Sequence, residues 1–273
     1  MLTTPTLAHH PRVIDTTRAN PARVWNYWLG GKDNYPADRE FGERVRAFLP
    51  SIADIARAER VFLLRAVRHL ASAEGIRQFL DLGAGLPTLT NTHEVAQALA
   101  PACRVVYVDH DPLVVAHARA LLTSTPQGAI DCLAADLREP EKILHGAART
   151  LDLTRPIALM LLGILTFITD DDQAYAIVTQ LLDTLPAGSY LLLSHPTAHI
   201  HPAAMGEYTR VWNEHATPLI TTRCPQRLTR FFDPLELLEP GVVSCPLWRP
   251  DPYQIGMSVA VDTFCGVGRK AAV

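Results

Sequence analysis

The chain has 273 residues, 48% of them apolar and 19% charged, with a net charge of −3. That length can bury a large core, as one α/β domain or as a domain with an appendage, and the near-neutral balance leaves no global positive field to recruit nucleic acid. No apolar run reaches the roughly 18 residues of a membrane span, Met1–Thr17 lacks the apolar core of a signal peptide, and the five widely spaced cysteines (Cys103, Cys132, Cys224, Cys245, Cys265) form no CxxC pair, so a reduced cytoplasmic setting with no metal centre and no disulfide framework is expected.

Met1–Pro11 reads as loosely attached chain. Asn20-Pro21 is a helix start, with Asn as N-cap and Pro at the first helical position. A short aromatic-rich helix follows over Ala22–Leu29 and ends at Gly30-Gly31. Further helices are predicted over Pro36–Phe48 and over Ile52–Leu70, where apolar residues recur at a helical period. From Gln78 the rhythm changes. Strands are predicted near 78–82, 104–109, 129–134, 156–162 and 188–194. Helices are predicted near 91–100, 112–123, 139–149, 171–184 and 203–216. Such alternation with continuously apolar strands implies a parallel sheet covered on both faces. Strand-like runs at 227–232, 242–248 and 257–266, with Val259–Phe264 as the terminal strand, predict an antiparallel addition at the sheet edge. Pro-rich patches at 196–202 and 246–252 read as loops. The expected organisation is an N-terminal helical cap over 1–72 and a cofactor-binding domain over 73–273.

The most informative stretch is Gln78-Phe-Leu-Asp-Leu-Gly-Ala-Gly-Leu-Pro87, a buried strand running into a glycine turn. Gly83 and Gly85 let the backbone approach a ligand closely, and the next helix N-terminus offers N–H groups to an anion. A second buried strand ends in Asp109, where a carboxylate would meet a ribose. The third Gly of a dinucleotide fingerprint is missing. Asp136, after the third strand, can accept from an adenine amino group or simply cap the helix behind it. An adenosine-containing cofactor is expected.

These residues resemble a bacterial family of S-adenosyl-methionine-dependent methyltransferases long filed as a domain of unknown function. The resemblance runs from about Ala19 to Lys270. It is carried by Arg23-Val-Trp-Asn-Tyr-Trp-Leu-Gly-Gly-Lys-Asp-Asn-Tyr35, by Phe79–Thr88, and by Asn91-Thr-His-Glu-Val-Ala-Gln97. Val106-Tyr-Val-Asp-His-Asp-Pro112, Ala134-Ala-Asp-Leu-Arg138, Ser194-His195 and Gly266-Val-Gly-Arg-Lys270 extend it. Asn26, Trp28 and Leu89 depart from the family's pattern. The resemblance implies the class I methyltransferase fold: a Rossmann-like, mostly parallel sheet of seven strands with helices on both faces. It implies that Asp81 and the Gly83-Ala84-Gly85 turn line the methionine part of S-adenosyl-methionine. Asp109 would hold the ribose, His110 would lie beside the adenine, and Asp136 and Leu137 would contact its other side. Leu162 and Gly163 would face the sulfonium.

Methyl transfer from a sulfonium needs alignment and desolvation, and a base only where the acceptor must lose a proton. His195, after the fifth strand, is the candidate base; its blander reading is a loop histidine capping a carbonyl. His199 and His201 extend it to H-x-x-x-H-x-H, which reads as solvated loop and not as a metal site. Lys32, Asn34 and Tyr35 in the glycine loop, with Tyr27 before it, are candidates for a lid or an acceptor contact. Trp25 and Trp28 are candidates for an acceptor wall or for core. His93-Glu94 would reach the cofactor's amino group or serve the helix dipole. No Asn/Asp-Pro-Pro-aromatic motif follows the fourth strand, and Asp251-Pro-Tyr253 lies elsewhere, so nucleic-acid bases are disfavoured as acceptors. A small molecule is the expected acceptor, and a homodimer is left open. The rival readings are a non-catalytic sensor of the cofactor or its product, and an NAD(P)-dependent oxidoreductase. The scarcity of lysine (Lys32, Lys142, Lys270) beside abundant Ala and Pro suggests a GC-rich bacterial genome.

Overall fold

The computed structural model describes residues 14–252 and 255–272; Met1–Pro11 and Tyr253 lie outside them. Three helices come first: α1 (Pro21–Trp28), α2 (Pro36–Phe48) and α3 (Ile52–Ser72). Asn20 caps α1 by accepting from the Arg23 N–H, with Pro21 at the first helical position. The alternating part follows with β1 (Gln78–Leu82), α4 (Thr92–Leu99), β2 (Arg104–Asp109), α5 (Pro112–Leu121), β3 (Ala129–Ala134) and α6 (Pro140–Ala147). It continues with β4 (Ala158–Leu162), α7 (Asp171–Thr184), β5 (Tyr190–Pro196) and α8 (Pro202–His215). The chain ends through α9 (Pro225–Thr229), β6 (Glu236–Leu237), β7 (Val243–Ser244) and β8 (Thr263–Arg269).

The sheet order is β3-β2-β1-β4-β5-β8-β6, with β7 also on β8. The first five strands pair in parallel and β8 enters antiparallel to β5. Strand alternation sorts the apolar residues into two cores. Leu80, Val106, Leu159 and Leu191 pack on one face with α6 and α7. Phe79, Val105, Ala158 and Leu192 pack on the other with α3. A third cluster joins α1–α3 to α8 through Val24, Trp28, Phe41, Ile52, Met205 and Trp212. No helix among the described residues is long and apolar enough to cross a membrane.

The C-terminal part departs from expectation in three places. Residues 225–232 are helical where a strand was expected over 227–232. Pro225 opens a helical turn that places Phe231 and Phe232 in the core. The last strand spans Thr263–Arg269, about four residues beyond Val259–Phe264. Gly266 and Gly268 discourage a strand by propensity. Here they make room for Phe232: a Cβ on Gly268 would stand 2.7 Å from its ring, and one on Gly266 2.9 Å. Eight strands stand in place of seven only because the sixth is split in two. Glu236–Leu237 and Val243–Ser244 pair along β8 in registers three residues apart. They are one broken sixth strand, interrupted around Pro240-Gly241.

Candidate functional site

Between β1 and β4 the strand order reverses, and open α/β sheets bind ligands in the crevice at such a switch point. A cavity of about 280 Å³ opens there. Its floor is the carboxyl ends of β1, β2, β3 and β4. Its roof is α1 and α3, and α8 closes one side.

The β1 tip turns through Gly83 and Gly85, both with positive φ (73° and 66°). A Cβ on Gly83 would strike the Ile164 side chain at 2.5 Å, whereas a Cβ on Gly85 would meet nothing within 4 Å. Gly85 therefore offers bare backbone to the cavity. The Asp109 carboxylate accepts from the Gly85 N–H at 3.0 Å and from the Asp111 N–H at 2.9 Å. Burial raises its pKa in spite of both bonds. His110 is exposed at the rim, its Nδ1 3.8 Å from Asp109. Asp111 ties this tip to the roof, accepting from the Asn20 side chain at 2.7 Å. Asp136 caps its own turn by accepting from the Arg138 N–H at 2.8 Å, and Leu137 lines the cavity beside it. Asp81 is buried and accepts from the Thr92 hydroxyl at 2.7 Å, and burial pushes its pKa up to about 6.

The sequence-derived cofactor residues, Asp81, Gly83, Ala84, Gly85, Asp109, His110, Asp136, Leu137, Leu162 and Gly163, thus meet in one cavity. The α4 N-terminus does not. The helix begins only at Thr92, and its His93 N–H is taken by the Tyr107 hydroxyl at 2.8 Å. Glu94 is spent on the Asn91 N–H.

The other expectations fare differently. His195 lies inside β5, fully buried, and does not line the cavity. The Arg223 guanidinium donates to its Nε2 at 2.7 Å, so Nδ1 carries the proton and donates to the Pro196 carbonyl at 2.8 Å. Burial and then the Arg223 charge push its pKa down to about 3. Neither ring nitrogen is left for an acceptor, and His195 is a brace. With Arg223 it holds the carbonyls of Leu165 and Ile168 in the turn after β4. His201 pairs with Asp262 at 2.7 Å, and no metal-holding cluster exists among the described residues.

None of the four lid candidates lines the cavity. Tyr27 donates to Glu43 outside it. Lys32 is exposed. Tyr35 packs near Leu86 and Leu113. Asn34 donates to the Asn26 side chain at 2.9 Å, and Asn26 itself faces the cavity. Trp25 lines the cavity and Trp28 is core.

Sequence reasoning missed the roof residues Glu59 and Arg60 of α3 and the wall residues Met205, Tyr208 and Trp212 of α8. A signal for Glu59 existed. It falls on the apolar stripe of α3 (Ile52, Ile55, Phe62, Leu63, Ala66), where a carboxylate is costly unless it has a task. It is buried, with burial pushing its pKa up to about 7 against the opposing bond from the Ser194 hydroxyl.

Comparison with known proteins decides the family. The model of the S-adenosyl methyltransferase family matches residues 7–271. The chain belongs to that family. A crystal structure of a DUF574-family protein from Streptomyces avermitilis is 42% identical, with a TM-score of 0.88 over 94% of this chain and 99% of that one. That of a candidate methyltransferase from Thermobifida fusca is 41% identical, with a TM-score of 0.87 over 94% and 97%. Human N-acetylserotonin methyltransferase in complex with SAM shares the fold alone, at 14% identity and a TM-score of 0.50 over 94% of this chain and 64% of that one. A search of curated proteins finds no match.

The family's cofactor is S-adenosyl-methionine, and the cavity suits it. Gly85 leaves unfilled space where a side chain would stand, and the Asp109 carboxylate keeps lone pairs for hydroxyl donors beyond its two backbone bonds.

Proposed function

We propose that the protein is a methyltransferase that moves the sulfonium methyl of S-adenosyl-methionine to a small, largely apolar acceptor. The observation that carries this is the single cavity in which an open glycine turn, acids at the ends of β2 and β3, and an aromatic wall face one another. Asp109 binds the ribose hydroxyls, with Gly85 fixing its orientation. His110, Asp136 and Leu137 flank the adenine. Asp81 and the Gly83–Gly85 turn take the methionine part. Arg60, half-buried beside Asp81 and anchored on the Thr90 carbonyl, offers a guanidinium to its carboxylate. Leu162 and Gly163 face the sulfonium.

Bound S-adenosyl-methionine supplies an activated methyl, so the chain's task is alignment and exclusion of water. The helices α1, α2 and α3 act as the cap that does this. Trp25, Leu29, Ile52 and Ile55 bring apolar surface over the strand tips, and Met205, Tyr208 and Trp212 complete the wall. Asn34 holds Asn26 in that roof. The cavity, about 280 Å³, sits near the lower end of ligand sites (~300 Å³), in keeping with a small acceptor.

Calorimetric titration with S-adenosyl-homocysteine and with NAD tests the cofactor assignment. Binding of the first and indifference to the second is expected. Binding of NAD alone would return the chain to the oxidoreductases. Labelled methyl release across a panel of small phenols, amines and thiols separates an enzyme from a sensor.

A further inference from the structure

We propose that Glu59 is the general base of the transfer and that the acceptor atom is the oxygen of a small aromatic alcohol of the phenol type. The inference rests on reading the cavity as a methyltransferase site.

The Glu59 carboxyl lies against the β4 tip. A Cβ on Gly163 would stand 3.1 and 3.2 Å from its two oxygens. Gly163 holds a left-handed turn (φ 69°) and its N–H bonds the Ser194 carbonyl at 3.0 Å, so the tip cannot swing away cheaply. The same Ser194 donates its hydroxyl to Glu59, which orients the carboxyl from β5. One carboxyl thus stands where the β4 tip, the roof helix and the α8 wall converge. This is the end of the cavity opposite the acids that suit the ribose and adenine.

Few groups with charge or a titrating proton face Glu59. On its own helix is Arg60, engaged with the Thr90 carbonyl and sensing Asp81 and Glu94. From α8 comes the Tyr208 phenol and from β8 the Cys265 thiol, both held neutral by burial and further by the Glu59 charge. The remaining neighbourhood is apolar, with Ile55, Leu63 and Met205 lining the cavity. Such a box pushes the carboxyl to about 7, where a base is half-ionised near neutral pH and still strong enough to take a proton.

Charge selects the acceptor. A sulfonium beside an ionised Glu59 makes a neutral pair in a dry site. A protonated amine would add an unbalanced cation there, whereas an alcohol enters neutral. Trp25, Phe167, Tyr208 and Trp212 supply ring surfaces for an aromatic body. The step balances. The acceptor's O–H proton passes to a Glu59 oxygen and the oxygen lone pair forms the bond to methyl carbon. The sulfur–carbon bond breaks toward sulfur, leaving an aryl methyl ether, S-adenosyl-homocysteine and a protonated Glu59 that returns its proton to water when the site opens.

The test compares wild type, Glu59→Gln and Ser194→Ala, using 4-chlorophenol, 4-chloroaniline and S-adenosyl-homocysteine as probes. Calorimetry with S-adenosyl-homocysteine should agree within about twofold for wild type and Glu59→Gln, because Glu59 serves the acceptor. Binding of 4-chlorophenol to the wild type loaded with S-adenosyl-homocysteine should strengthen about tenfold as pH rises from roughly 5.5 to 8, and be flat in Glu59→Gln. In Ser194→Ala the midpoint should move up, since a bond to the ionised form is lost. Labelled methyl transfer to 4-chlorophenol should fall at least ~100-fold in Glu59→Gln. Loss of S-adenosyl-homocysteine binding in Glu59→Gln would move the residue into the cofactor site and overturn the proposal. So would pH-independent or absent 4-chlorophenol binding in a wild type that binds S-adenosyl-homocysteine. Transfer to 4-chloroaniline in preference to the phenol would overturn the acceptor class. Failure of wild type to bind S-adenosyl-homocysteine would instead bring down the cofactor reading beneath it.

Discussion

The floor and the roof of the cavity are built on different principles. On the floor the functional groups sit at strand ends, and the acids after β2 and β3 are held by main chain: Asp109 by the N–H groups of Gly85 and Asp111, Asp136 by that of Arg138. On the roof the groups are side chains on helices, and their place depends on how α1, α3 and α8 pack through Val24, Ile52, Met205 and Trp212. A floor of this kind is rigid and generic to the fold. A roof of this kind sets what enters. The contrast predicts that floor substitutions act on cofactor affinity, whereas roof substitutions, Arg60 apart, act on the acceptor and on pH behaviour.

The largest expected effect is on the floor. Asp109→Ala removes one or two charge-assisted bonds to ribose and should cost about 3 kcal/mol, ~100-fold in the S-adenosyl-homocysteine dissociation constant measured by calorimetry. Wild-type affinity in that variant would show that the ribose lies elsewhere.

The roof should answer differently. A carboxyl raised from 4.5 to about 7 binds its proton more tightly folded than unfolded. Its stability contribution is therefore full below pH about 4.5 and is lost as pH rises to about 7. Asp81, raised from 3.8 to about 6, has the same sign. Glu59→Gln should flatten part of this slope and make the unliganded protein more stable than wild type at pH ~8, by on the order of 2 kcal/mol. His195 works in the other direction. Its pKa is depressed from 6.5 to about 3, so stability present above about 6.5 is lost as pH falls. Denaturant melts of wild type and Glu59→Gln from pH ~4 to ~8 separate the two limbs, and a stability difference between them that does not change from pH ~4.5 to ~7 would remove Glu59 as a buried titrating group.

The difference between floor and roof also governs what could be read in advance. β1, β2 and β3 run over the residues expected, because continuous apolar runs bounded by Gly and Asp have few other solutions. The spacing of Gly83, Gly85, Asp109 and Asp136 then follows from topology, and these residues meet in one cavity. Glu59 and Tyr208 meet across 149 residues of chain (208 − 59) only because α8 folds back under α3, and no local pattern encodes that. His195 was misplaced for a related reason. Sequence shows a histidine near a strand end but not that Arg223, far along the chain, occupies its second nitrogen. The final strand lies four to five residues later than Val259–Phe264, and its Gly266 and Gly268 find their reason only in Phe232 packed against them.

Gly85→Ala sharpens the contrast at smaller scale. No atom within 4 Å opposes a new Cβ, so the unliganded protein should lose only the left-handed backbone cost of ~1–2 kcal/mol. The methyl would occupy space the cofactor needs, and S-adenosyl-homocysteine affinity should fall about tenfold. Gly83→Ala meets Ile164 at 2.5 Å and should destabilise the fold itself more strongly. Thermal melts with and without S-adenosyl-homocysteine distinguish the two. If Gly85→Ala kept full ligand-induced stabilisation, the cofactor would not approach that backbone.

The smallest effect is expected where sequence pointed most directly to a lid. Lys32 stands exposed after Gly30-Gly31, and the cavity contact of that region is made instead by Asn26, held by Asn34 at 2.9 Å. Lys32→Ala should therefore change stability and S-adenosyl-homocysteine affinity by no more than the ~0.5 kcal/mol of an ordinary surface substitution. Asn34→Ala should weaken the roof through Asn26 and slow transfer while leaving cofactor affinity near wild type. A loss of S-adenosyl-homocysteine affinity in Lys32→Ala would mean that the loop folds over the cofactor once it is bound, and would move this stretch of the roof into the part of the site that reads the donor.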